Sequence, residues 1–83
     1  MTVQIDDKIY RGTGTEIMER LRQMYGEPEE YPDTETYIWQ VRANFMRTTG
    51  LECDLPEEGV EEQARALIAV LAKTEALRVL EDG

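Results

Sequence analysis

The hydrophobic positions of this chain change period several times, and each change marks an element. Val3, Ile5 and Ile9 supply apolar faces in TVQI (Thr2–Ile5) and KIYRG (Lys8–Gly12), which predicts two short strands. Asp6-Asp7 between them predicts a hairpin turn. The period then becomes helical. Ile17, Met18, Leu21, Met24 and Tyr25 fall on one stripe of an amphipathic helix. Thr13 with Glu16 three residues later predicts the capping box of that helix, and Gly26 predicts its end. EPEEYPDTET reads as a linker. Asp33 or Thr34 caps a second helix running to about Thr49, where Gly50 stops it.

LECDL (Leu51–Leu55) alternates apolar and acidic residues, which predicts a strand with Leu51, Cys53 and Leu55 facing inward. PEEG breaks the chain. A third helix, about Val60 to Thr74, carries Val60, Ala64, Leu67, Ile68 and Leu71 on one face. ALRVL (Ala76–Leu80) predicts a last strand with Leu77 and Val79 facing in. The order ββααβαβ predicts an α+β domain: a small sheet of about four short strands with helices packed on one face. If the last two strands are neighbours, the helix between them makes them parallel through a right-handed crossover.

Length limits what such a pattern can build. With 83 residues the chain forms one domain. A domain of this size buries roughly 60–65% of the surface its unfolded chain exposes, so the core is thin. Charge narrows the classes of partner. Lys and Arg number 9 and Asp and Glu 18, a formal charge of −9. That much negative charge repels nucleic-acid phosphates and anionic headgroups, which argues against direct nucleic-acid or membrane binding. The first residues have no basic stretch followed by an apolar one, and the longest apolar run is ALIAVLA (Ala66–Ala72), too short for a membrane span. The single cysteine, Cys53, has no partner for an internal disulfide. The chain reads as cytoplasmic.

The stretch RGTGTEI asks whether the strand, glycine turn and helix form a phosphate loop. Such loops need convergent backbone N–H groups and usually a lysine. Here there are two glycines, Gly12 and Gly14, and no lysine. Glu16 sits in the first helical turn, where its carboxylate opposes a bound phosphate. The capping box accounts for Thr13 and Glu16 without a ligand, so the turn is read as structural. A ligand-binding or enzymatic domain built on Gly12 and Gly14 is the minor alternative.

The hairpin ending in YRGT (Tyr10–Thr13), followed by an acidic amphipathic helix, resembles small bacterial and prophage-encoded proteins of unassigned function. A later strand and an alanine-rich helix running into a C-terminal strand are similar too. The resemblance implies the layout and an association with phages or other mobile elements. It implies no activity and no site residues.

The chemistry of the chain points away from catalysis. There is no histidine, which removes the commonest general base and zinc ligand. A buried Cys53 behaves as a small hydrophobe. The acid pairs Glu29-Glu30, Glu57-Glu58 and Glu61-Glu62 lie beside proline or glycine or at a helix start, where solvated acids belong. The acids of ECDLPEEGVEE do not have the glycine placement of a calcium loop. The reading is therefore no catalytic residue, no metal and no cofactor.

Charge is unevenly spread. Gly26–Thr36 holds five acids, Glu27, Glu29, Glu30, Asp33 and Glu35, and no base. Glu52–Glu62 holds six, Glu52, Asp54, Glu57, Glu58, Glu61 and Glu62, again with none. Between them Tyr37–Leu51 carries Arg42 and Arg47 and no acid. The second helix has two apolar faces: Tyr37, Ile38, Val41 and Phe45 on one, Trp39, Ala43 and Met46 on nearly the opposite one. The favoured explanation is a helix sandwiched inside the fold. The other is a docking patch, because tryptophan and methionine are enriched at interface cores.

These patterns predict a non-enzymatic module that binds another protein, through Trp39, Ala43 and Met46 or through acids such as Glu29, Glu30, Glu57 and Glu58. The partner would be a basic protein surface or a second copy in a homodimer. A sharper version is an acidic, nucleic-acid-mimicking inhibitor of a nucleic-acid-binding or defence enzyme.

Overall fold

A computed structural model of the chain describes residues 1–25 and 33–81. The fold is α+β: two strands, β1 (Thr2–Ile5) and β2 (Lys8–Arg11), three helices, α1 (Gly14–Tyr25), α2 (Thr34–Thr49) and α3 (Val60–Lys73), and a last strand, β3 (Arg78–Glu81). The strands make one antiparallel sheet in the order β2-β1-β3. β1 and β2 form the expected hairpin, with Val3 opposite Tyr10 and Ile5 opposite Lys8. Asp6 takes a positive φ of 57° in the turn, a conformation that aspartate tolerates better than most residues.

Alternation along the strands separates two faces of the sheet. Val3 and Tyr10 are buried, and Val79, opposite Val3, packs against the same core. Ile5 lies partly buried on that side. Ile9 does not join it. Paired with Gln4, it points to the other face and is 57% exposed. The core is completed by Ile17, Met18 and Leu21 of α1, Tyr37, Ile38 and Phe45 of α2, Ala64, Leu67 and Ile68 of α3, and Leu77. Leu77 and Val79 therefore face inward as the C-terminal pattern requires. Gln63 is buried as well, and its Oε1 has no hydrogen-bond partner among the described residues.

The helix ends follow local chemistry. Asp33 is the N-cap of α2, and its carboxylate accepts from the Thr36 N–H at 2.7 Å. Gly50 closes α2 in the left-handed region, φ 74°, with its N–H on the Met46 carbonyl. The expected helix-ending Gly26 and the acids Glu29 and Glu30 lie outside the described residues.

Two expectations are corrected. LECDL is not a strand, so the described sheet has three strands and the order is ββαααβ. The expected parallel crossover also fails, because β3 pairs antiparallel with β1 rather than with a strand from LECDL. The central strand β1 already has β2 on one side and β3 on the other, so LECDL could join only at an outer edge. Its backbone is held by a side chain instead: Arg42 Nε of α2 donates to the Cys53 carbonyl. The alternation survives without the ladder. Cys53 is buried at 1% exposure and Leu55 is partly buried, while Glu52 and Asp54 are exposed. Leu51 is 52% exposed, not inward.

Burial pushes the Cys53 thiol pKa up; nearby Arg42 works in the opposite direction and Asp54 in the same one. A buried thiol that stays protonated reacts slowly. Native protein at pH 7 is expected to resist a thiol reagent and to be labelled only as it unfolds. Labelling at the rate seen in denaturant would contradict the burial of this segment.

Candidate functional site

The glycine turn is an anion site, and the anion belongs to the chain itself. The first N–H groups of any helix lack intrahelical partners. At the start of α1 they are shared between two carboxylates. Glu16 Oε1 accepts from the Thr13 N–H at 3.0 Å, and Thr13 Oγ1 accepts from the Glu16 N–H at 3.1 Å, which completes the expected capping box. Glu61, in the first turn of α3, takes the next two donors. Its Oε2 accepts from the Gly14 N–H at 3.0 Å, and its Oε1 from the Thr15 N–H at 2.9 Å and the Thr15 hydroxyl at 2.7 Å.

Both glycines serve this arrangement. Gly12 has a φ of +143°, which side-chain-bearing residues rarely adopt. At Gly14 the reason is space. A Cβ there would meet Arg65 Cγ at 2.9 Å, and Ala64 Cβ and the Arg65 backbone nitrogen at 3.2 Å. The absence of a side chain lets α3 cross the start of α1 closely enough for Glu61 to reach the amides.

The electrostatics of Glu61 are a contest. Burial is the largest single influence and raises its pKa. Hydrogen bonds from the Thr15 hydroxyl, the Thr15 and Gly14 N–H groups and the Thr13 hydroxyl together outweigh burial, and the net shift is downward. The Glu16 pKa is lowered too, first by the Thr13 N–H and then by its hydroxyl. Neither carboxylate is set up to carry a proton near neutral pH. From local sequence alone Glu61 reads as a solvated acid at a helix start. The signal for its role was Gly14, which the capping box leaves unexplained.

A third carboxylate, Glu19, ties α1 to α2. Glu19 accepts from Arg22 Nη2 at 2.5 Å and from the Thr34 hydroxyl at the start of α2. Arg22, then Thr34, hold its pKa down at about 2.

The expected sites on α2 separate. Tyr37, Ile38 and Phe45 are buried, with Val41 packed at the edge of the core, as the pattern requires. The expected burial of the opposite face is corrected. Trp39 is 40% exposed and Ala43 is exposed, while Met46 is half-buried against the core. The Arg42 guanidinium lies 5.2 Å from the centroid of the Trp39 ring, a cation–π contact. Arg42 thus holds an exposed indole in place and ties the Cys53 segment to the same helix. Glu57 and Glu58 are exposed in the loop before α3, and the structure does not bring them to the Trp39 face through any hydrogen bond or ion pair among the described residues. Among the described residues no group of three acids or thiols is placed to hold a metal ion, and no helix is long and apolar enough to cross a membrane.

Glu61→Gln is expected to lower stability by about 1–3 kcal/mol, since it sets an amide against N–H donors. Gly14→Ala should destabilise as well, despite alanine's better helix propensity, because α3 must move. A carboxylate with a depressed native pKa stabilises fully above its unfolded value, about 4.3, and loses that contribution as pH falls through the native value. Urea unfolding from pH 7 to pH 2 should therefore show the gap between wild type and Glu61→Gln closing on the acid side. A gap that stays constant would contradict the ionised cap. Comparison of the chain with protein-family models, with curated proteins and with solved structures finds no match.

Proposed function

We propose that this protein is a non-enzymatic interaction module that binds another protein through the outer face of α2. The observation that carries the reading is the exposed Trp39, stacked by Arg42 and bordered by Ala43, on a helix whose opposite face is core. Partly exposed aromatic side chains that are already positioned lose little conformational entropy on binding, and tryptophan and arginine are enriched among the residues that dominate interface energies. The glycine turn does not compete as a ligand site while Glu61 occupies its amides. A second reading keeps the exposed acids Glu52, Asp54, Glu57, Glu58 and Glu62 as a surface for a basic partner, including an enzyme that handles nucleic acid. An association with mobile elements, which the resemblance of the sequence implies, would belong with that reading.

Trp39→Ala separates a docking residue from a core one. At an exposed site the change should cost about 1 kcal/mol of stability, far below the 3–5 kcal/mol of a buried tryptophan. Partners recovered by pull-down and mass spectrometry with wild type should be lost with the variant. Partners retained by Trp39→Ala, but released by adding moderate salt, would move the binding surface to the acids.

A further inference from the structure

We propose that Met24 is a modification site: a peroxide converts its thioether to the sulfoxide, and the Tyr10 hydroxyl passes that change to the sheet. Met24 stands in the last turn of α1 and is 47% exposed. The other described methionines are less open. Met18 is fully buried, and Met1 and Met46 are partly buried against the core. An oxidant must reach a lone pair on sulfur, so Met24 reacts first.

Tyr10 sets this sulfur apart from that of an ordinary surface methionine. The Tyr10 side chain belongs to the core, at 5% exposure, and its hydroxyl donates to Met24 Sδ at 3.2 Å. The contact ties β2 to the end of α1 across fourteen positions of sequence. A thioether sulfur is a weak acceptor with two lone pairs. The Tyr10 hydroxyl occupies one, and the other is left to react. That free pair attacks one oxygen of hydrogen peroxide. The S–O bond forms as the O–O bond breaks, sulfur gives up two electrons, the proton moves to the departing oxygen, and water leaves. Oxygen enters from the side away from Tyr10, so one sulfoxide epimer predominates. The sulfur that still faces the hydroxyl is now electron-poor, and the new oxygen, a strong acceptor, points away from it. Tyr10 loses this acceptor at a part-buried position, where a weakened hydrogen bond is costly. The seam between β2 and α1 loosens until reduction restores the thioether.

Treating the intact protein with dilute hydrogen peroxide, then digesting it for mass spectrometry, tests the inference. Met24 should be oxidised before Met18 and Met46. One epimer should exceed the other by about threefold or more, the bias expected of one hydrogen bond. One of the two epimer-specific methionine sulfoxide reductases should then clear most of the sulfoxide from the digest, and the other should leave it. The melting temperature of the oxidised protein should fall by about 4 °C or more. Tyr10→Phe keeps the ring and removes the hydroxyl. In that variant the epimer excess should vanish, and oxidation should leave the melting temperature unchanged. Met24→Leu, close in volume, should abolish the effect of peroxide on melting. Oxidation of Met46 ahead of Met24, equal epimers in wild type, or the same fall in melting temperature in Tyr10→Phe would overturn the proposal. If Tyr10→Phe does not fold, the epimer ratio of the wild type decides the matter by itself.

Discussion

The carboxylate of Glu61 reaches across from α3 to satisfy two backbone N–H groups and a hydroxyl at the start of α1. Those donors are separated from Glu61 by almost fifty positions of sequence, so the contact fixes where two helices cross. Charge at a helix N-terminus is favourable, and burial of a carboxylate is not; the contact persists because enough donors converge to offset desolvation. With the first turn of α3 held there, Ala64, Leu67 and Ile68 enter the core beside Ile17 and Met18. α3 then delivers the chain to β3, which pairs with β1. Gly14 is the condition for all of this, because any side chain at that point would push α3 off α1.

α2 is tied in by different means. Glu19 and Thr34 join its start to α1, and Arg42 joins its middle to the Cys53 carbonyl. These side-chain ties settle which face of a two-sided helix turns inward. Tyr37, Ile38 and Phe45 take the core, and the indole of Trp39 is left at the surface under the Arg42 guanidinium. The surface on which the proposed function depends thus follows from the polar contacts that position the helix.

Much of this was legible in local patterns. The hairpin, the capping box, all three helices and the inward positions of the last strand follow from periodicity and terminal chemistry, which act over a few residues. What failed required knowledge of distant partners. LECDL has the alternation of a strand, but a strand also needs a partner strand, and here the Cys53 carbonyl bonds the Arg42 side chain instead. Ile9 has strand character, yet its pairing with Gln4 turns it to the outer face. Both faces of α2 are apolar, and periodicity does not rank them. Glu61 looked like any acid at a helix start; only the space that Gly14 leaves hints that something must approach it.

The Glu61 contact can be read at the two amides themselves. Nuclear magnetic resonance of the Gly14 and Thr15 amides, followed from pH 7 to pH 2, measures it most directly. Both resonances should shift together with a midpoint below about 4.3, and that shared transition should vanish in Glu61→Gln. Amides that ignore the titration, or that show the same transition without the Glu61 carboxylate, would contradict the account.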